Sequence, residues 1–171
     1  MQKKISKIKM ILMDVDGVLT NGEIIYTSSG DELKIFDVQD GMGITLARMA
    51  GIKTGIITGR ISALVERRAH ELKMDIVMQG NFKKLPDYER VKRDFELSDE
   101  EICYIGDDVL DIPILKRVGF SVAVANARDE VKAICDYVTV APGGKGAVRE
   151  AVDRILKWQG KLHAIIDELA E

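Results

Sequence analysis

Two aspartates separated by one residue, Asp14 and Asp16, open the run Asp14-Val15-Asp16-Gly17-Val18-Leu19-Thr20. Two carboxylates so spaced at the end of a strand point to the same side. Like charges held that close repel, and a cation between them is the natural remedy. A second acidic cluster, Asp107, Asp108 and Asp111, lies in Gly106-Asp107-Asp108-Val109-Leu110-Asp111. An all-oxygen donor set of this kind suits a hard divalent cation. Between the clusters, Ile56-Ile57-Thr58-Gly59-Arg60 places a hydroxyl and backbone N–H groups at a strand-to-helix turn, a good seat for phosphate oxygens. Lys84, in Gln79-Gly80-Asn81-Phe82-Lys83-Lys84, offers a cation. Taken singly, each has a plainer reading: Asp and Gly form turns, Thr58 caps a helix, Lys84 is a solvated lysine. Four polar clusters at the ends of four successive strands are much harder to explain as chance, and together they offer seats for a hard cation and for phosphate oxygens.

Such convergence requires a particular scaffold. Short apolar runs at Ile8–Val15, Ile52–Thr58, Asp75–Met78, Glu101–Ile105 and Phe120–Val124 read as buried strands. Amphipathic stretches at Gly43–Ala50, Ser62–Leu72, Pro86–Phe95, Val109–Val118 and Ala127–Ile134 read as helices between them. Pro86 suits the first turn of its helix. Ser98-Asp99-Glu100-Glu101 has the letters of a capping box, with room only for a short turn. This alternation predicts an α/β fold with a parallel, doubly wound sheet, whose ligand-binding edge is formed by the strand C-termini. Gly22 to Val38 breaks the pattern and reads as a β-hairpin about Ser28-Ser29-Gly30-Asp31. The tail from Ala141 begins with Pro142-Gly143-Gly144-Lys145-Gly146 and continues as a helix carrying Val148, Val152, Ile155 and Leu156. With 171 residues and no linker or repeat, one domain over 1–171 is expected.

Composition removes several classes. Hydrophobic residues make up 46% and charged residues 31%, so a packed core is expected rather than disorder. The net charge of −3 gives no general attraction to nucleic acid or to an anionic membrane. Two cysteines, Cys103 and Cys135, make neither a disulfide framework nor a four-ligand zinc site, and their apolar neighbours suggest buried reduced thiols. His70 and His163 lie in no metal-spaced or catalytic pattern. Neither a secretory leader nor a membrane span is evident, and a cytoplasmic protein is the expectation.

The order Asp14-x-Asp16, Thr58, Lys84, Gly106-Asp107-Asp108-x-x-Asp111 resembles the haloacid dehalogenase (HAD) superfamily of phosphohydrolases. Asp37-Val38-Gln39-Asp40-Gly41-Met42-Gly43, Gln79-Gly80 with Lys84, and Gly143-Gly144-Lys145-Gly146-Ala147-Val148-Arg149-Glu150 narrow the resemblance to the 3-deoxy-D-manno-octulosonate 8-phosphate (KDO 8-phosphate) phosphatases of lipopolysaccharide precursor synthesis. That resemblance implies Asp14 as nucleophile and Asp16 as acid and base. It implies Mg²⁺, or another divalent cation such as Mn²⁺ or Co²⁺, held by Asp14, the backbone carbonyl of Asp16 and Asp107. Thr58, with Gly59 beside it, and Lys84 would bind the phosphoryl group, with Asp111 or Asp108 orienting Lys84 or a metal-bound water. Asp40 and Gly41 would meet sugar hydroxyls, and Lys145, Arg149 or Arg60 the substrate carboxylate. Lys145 stands where many members have arginine, which keeps the charge but loses two-pronged geometry.

Neither Thr20–Ile52 nor Thr58–Lys84 leaves room for a cap domain, so an open site is expected, closed by a large substrate or by another subunit. Ile24, Ile25, Tyr26, Leu33, Ile35 and Phe36 make the hairpin a candidate contact surface, and the resemblance implies a homotetramer with a neighbour's tail near each site. Three other readings stand beside this one: a phosphatase of nine-carbon sialic-acid-type 9-phosphates, a non-catalytic oligomerisation module, and a receiver domain. In a receiver domain the phosphoacceptor aspartate would follow the third strand, whereas here the Asp-Gly motif follows the first.

Overall fold

The structure is a computed structural model that describes residues 2–170. In chain order the elements are α1 (Gln2–Ile5), β1 (Met10–Met13), β2 (Ile25–Tyr26), β3 (Glu32–Leu33), α2 (Val38–Met49), β4 (Lys53–Thr58), α3 (Ala63–Glu71), β5 (Ile76–Gln79), α4 (Lys84–Asp94), β6 (Ile102–Gly106), α5 (Ile112–Leu115), β7 (Phe120–Ala123), α6 (Asp129–Lys132), β8 (Tyr137–Val138), α7 (Ala147–Trp158) and α8 (Leu162–Ala170). Six strands form one parallel sheet in the order β5-β4-β1-β6-β7-β8. From β1 the chain winds outward through β4 and β5, then crosses back to β6 and winds the other way. The reversal falls beside β1, where an open α/β sheet leaves a crevice at its strand C-termini.

The central strands are buried on both faces, which is why they read as apolar runs without alternation. The core runs from Met10, Leu12 and Ile57 through Tyr104 and Phe120 to Val148, Val152 and Ile155 of α7. On α7, Val148, Ala151, Val152, Ile155 and Leu156 are all buried, a stripe at helical spacing that lies against α2.

The elements differ from expectation in several places, among them a shorter first strand (Met10–Met13) and a shorter helix α6 (Asp129–Lys132), and three differences bear on the site or the sheet. Helix α2 starts at Val38 because Asp37 caps it, accepting from the Gln39 and Asp40 N–H groups, so the hairpin ends earlier than Val38. The stretch Val109–Val118 is not one helix: a 3₁₀ turn over Val109–Asp111 leads into the short α5. Strand β8 pairs with β7 through only two residues, too short to register as an apolar run. The capping box at Ser98 and Glu101 forms on a 3₁₀ turn. Cys103 is buried and Cys135 half-buried, both free.

Candidate active site

Register places the clusters together. Met13 of β1 lies level with Ile56 of β4 and Ile105 of β6, and Asp14 continues the ladder through its N–H to the Ile105 carbonyl at 3.0 Å. Asp14, Thr58 and Asp107 therefore leave three adjacent strands at the same edge. With Asp16, Gly59, Arg60, Phe82, Lys84, Asp108 and Leu110 they line a cleft of about 170 Å³.

The acidic cluster is ordered by one lysine and one aspartate. Nζ of Lys84 is 2.7 Å from Oδ2 of Asp14 and 2.7 Å from Oδ1 of Asp111, with its side chain buried. The other Asp14 oxygen accepts from the Val15 N–H at 2.7 Å. Asp111 is fully buried and accepts four hydrogen bonds: Lys84 and the Tyr104 hydroxyl on Oδ1, the Asp107 and Asp108 N–H groups on Oδ2. A carboxylate so occupied has no lone pair left for a metal and serves as a fixed counter-charge. Asp108 turns to the Val109 N–H and starts the 3₁₀ turn that carries Asp111.

Asp107 is different. Its Oδ1 is buried without a hydrogen-bond partner, and burial, then the Asp14 and Asp111 charges, push its carboxyl up to about 8. Burial, then Asp111, likewise raises Asp14 to about 6 against the pull of Lys84. Burial alone would lower the Lys84 ammonium, but Asp111 and Asp14 outweigh it and hold it above its ordinary value. Carboxyl oxygens of Asp14, Asp107 and Asp111 lie within 4.8 Å of one another. An orphaned buried oxygen beside a second carboxylate is short of positive charge, and the donors are all hard oxygens, so the site fits a divalent cation of the Mg²⁺ type.

The loop after β1 is closely braced. Gly17 has φ +92°, and a Cβ there would sit 2.1 Å from Oδ2 of Asp107, so glycine is what lets the loop pass this carboxylate. Asn126 donates to the Gly17 carbonyl at 3.2 Å and accepts from the Gly143 N–H at 2.6 Å, while the Gly144 N–H donates to the Val18 carbonyl at 2.9 Å. The glycine pair of the tail motif thus packs on the loop between Asp16 and the hairpin.

Other expected residues lie elsewhere. Asp40 is buried and accepts from the Arg149 N–H at 2.9 Å and the Gly146 N–H at 3.2 Å, so its carboxylate caps the start of α7 rather than facing the cleft. Gly41 is buried beneath Arg68. The Arg149 guanidinium is taken by Asp153 through two contacts at 2.8 and 2.9 Å. Lys145 is exposed and outside the cleft lining. Arg60 does line the cleft: one nitrogen bonds Glu32 at 2.7 Å, and its Nη1 is buried without a partner.

Sequence reading missed two residues of the hairpin. The Lys34 ammonium pairs with Asp16, and Glu32 pairs with Arg60 and accepts from Ser62. Their signal was the alternation Glu32-Leu33-Lys34-Ile35, which does not by itself say which face is inward. Here the charged face is inward, and Leu33 and Ile35 are exposed. Tyr104, the buried donor to Asp111, was also missed, hidden in an apolar run.

A haloacid dehalogenase-like hydrolase profile matches residues 74–150, the part that holds Lys84 and the second acidic cluster. The chain is 43% identical over 159 residues, 93% of its length and 85% of the other's, to the Escherichia coli K12 3-deoxy-D-manno-octulosonate 8-phosphate phosphatase KdsC. The chain belongs to the KDO 8-phosphate phosphatase family. Solved structures of that family superpose closely. The Moraxella catarrhalis phosphatase, in complex with magnesium ion, phosphate ion and KDO, matches with a TM-score of 0.96 at 41% identity, over 98% of this chain and 97% of that one. The cobalt-bound Haemophilus influenzae phosphatase matches with a TM-score of 0.89 at 38% identity, over 93% of each chain. The family is one of HAD-fold hydrolases, and this chain's six-stranded parallel sheet with its separate hairpin matches its solved members closely over nearly the whole length.

Proposed function

We propose that this protein is a Mg²⁺-dependent phosphomonoesterase that hydrolyses KDO 8-phosphate to KDO and phosphate through an aspartyl-phosphate. The observation that carries the chemistry is the seating of Asp14. One of its oxygens is held by a backbone N–H and the other by Lys84, at the mouth of a cleft lined by Thr58 and Arg60. The names of the 43%-identical relative and of the KDO-bound neighbour support the substrate.

In this reading an Asp14 oxygen attacks phosphorus, and the P–O ester bond breaks with its electron pair on the sugar oxygen. The Asp16 carboxyl supplies the proton that oxygen takes up. Water then attacks the aspartyl-phosphate, Asp16 takes its proton, and phosphate leaves with Asp14 restored. Thr58 and Lys84 hold the phosphoryl oxygens, with the Gly59 backbone at the same turn. Asp14, Asp107 and the Asp16 backbone carbonyl would hold the metal. A divalent cation there supplies neutralisation of the negative charge shared by carboxylates and phosphoryl group. Asp111 keeps Lys84 in place. Arg60, a cleft residue with an unpartnered buried nitrogen, would meet the substrate carboxylate.

The small, open cleft and the outward Tyr26, Leu33 and Ile35 support closure by a second copy of this chain, in a homotetramer where a neighbour's Lys145 reaches the substrate. Continuity of the core from α1 to α8 supports one domain over 1–171. Free cysteines suit a reducing, cytoplasmic setting. No helix among the described residues is long and apolar enough to cross a membrane.

The test is phosphate release from KDO 8-phosphate beside a nine-carbon 9-phosphate and simple sugar phosphates, with Mg²⁺ and with EDTA. Expected is a metal-dependent preference for the eight-carbon acid, reduced about 10³-fold or more in Asp14→Asn. A preference for the nine-carbon ester would move the substrate and keep the chemistry. No release from any of them by folded, metal-supplied protein would overturn the reading.

A further inference from the structure

We propose that Lys34, reaching in from the hairpin, is the positioning residue for Asp16 and sets the direction of the carboxyl group that gives its proton to the leaving sugar oxygen. This rests on the phosphatase reading above. No described residue of its own loop is seen to hold the Asp16 side chain. Among the described residues its side chain has one partner, the Lys34 ammonium. Asp14, by contrast, is fixed by Lys84 and a backbone N–H, and Asp111 by four donors. Each aspartate of the first loop thus faces a lysine: Asp14 faces Lys84, at the start of α4 and shared with Asp111, and Asp16 faces Lys34 of the hairpin.

Lys34 is itself held. Its side chain is only 2% exposed, which is unusual for a lysine outside a paired site. Glu32, two residues back on the same face of the hairpin, lies 3.7 Å from its ammonium. Arg60 and the Ser62 hydroxyl fix Glu32 in turn, at 2.7 and 3.1 Å. The line Asp16–Lys34–Glu32–Arg60 ties the proton-transferring group to the turn after β4. Two strands of two residues each have little stability of their own, and these contacts anchor the hairpin over the cleft.

Geometry matters here because the proton must move as the ester bond breaks. The Asp16 O–H bond breaks, the proton bonds to the bridging oxygen, and the electron pair of the P–O bond stays on that oxygen. In an open cleft an unanchored carboxyl turns to water, and transfer to the sugar oxygen loses its alignment. A sugar alkoxide needs the proton to leave; p-nitrophenolate does not. Loss of Lys34 should therefore discriminate between leaving groups, whereas general damage to the fold would not.

The experiment compares kcat/KM, which reports transfer to Asp14, for KDO 8-phosphate and p-nitrophenyl phosphate with Mg²⁺ in wild type, Lys34→Met, Lys34→Arg and Glu32→Gln. Lys34→Met should lose at least tenfold more on the sugar phosphate than on the aryl ester. Lys34→Arg should recover part of that difference, and Glu32→Gln should show it in weaker form. Equal losses on both substrates, or a sugar-phosphate loss wholly in KM with kcat kept, would overturn the positioning role. Where Lys34→Met does not fold, the Arg and Gln variants make the same comparison. Inactivity of the wild type on both esters would instead refute the phosphatase reading.

Discussion

The Lys84 ammonium sits 2.7 Å from Asp14, at the end of the central strand, with the lysine side chain buried. Burying a lysine is favourable only where opposite charge surrounds it. Here two carboxylates do so, and the second, Asp111, touches the ammonium at the same distance while being fully buried itself.

Asp111→Asn should therefore do two things at once. It leaves Lys84 with one counter-charge and turns an amide toward either the ammonium or two backbone N–H groups. Breaking a buried pair in this way should destabilise the fold by about 3 kcal/mol. It should lower kcat by about 100-fold through the misplaced lysine. Urea denaturation and steady-state kinetics with Mg²⁺ measure the two effects; wild-type kcat in the variant would free Lys84 from dependence on Asp111.

Stability without metal should fall as pH rises. Asp107 is pushed up to about 8 and Asp14 to about 6, both above the ordinary carboxylate range. The folded state then binds more protons than the unfolded chain between about pH 4 and pH 8, and stability declines across that window as the buried acids ionise. Melting in EDTA should drop by several degrees from pH 5.5 to pH 8.5, and Mg²⁺ should remove most of the drop while binding more tightly at the higher pH. A flat melting profile in EDTA would contradict the raised carboxyls.

Gly143→Ala tests the brace on the aspartate loop. An added Cβ would lie 1.8 Å from the Gly17 carbonyl oxygen, which is backbone and cannot swing aside. The strain should amount to about 1–3 kcal/mol, with kcat reduced more than KM changes, because Gly17 passes directly beside Asp107. Calorimetry together with kinetics gives both readings, and normal values of each would mean that the loop accommodates the methyl group.

Asp40→Ala should act on stability first. The carboxylate receives the Gly146 and Arg149 N–H groups, so its loss uncaps α7 and should destabilise by about 1 kcal/mol. A tenfold rise in KM for the sugar phosphate at an unchanged melting temperature would return Asp40 to the sugar.

Much of the site was legible because a parallel sheet sends every strand C-terminus to one edge. Asp14, Thr58 and Asp107 needed only that rule to be placed together. Lys34 needed more: an alternating strand shows two faces, and the apolar one is usually inward, yet here Leu33 and Ile35 are exposed and the charged face is covered. Asp40 carried a carboxylate in a suggestive motif, but its partner, the start of α7, depends on how α2 lies against α7; the Arg149–Asp153 pair, four residues apart on α7, needed only helical spacing. The Asn126 bridge joins segments that no local pattern connects. Strand β8 was invisible because two residues of pairing leave no periodicity.

The Asn126 bridge also bears on how the molecule is made. The loop after the first strand is fixed by Asn126, 109 residues beyond Gly17, and by the still later Gly143. On a ribosome Asp14 leaves the exit tunnel long before its brace exists. The nascent chain thus carries Asp14 and Asp16 beside an unset loop, and the brace forms only when the last third of the protein has emerged.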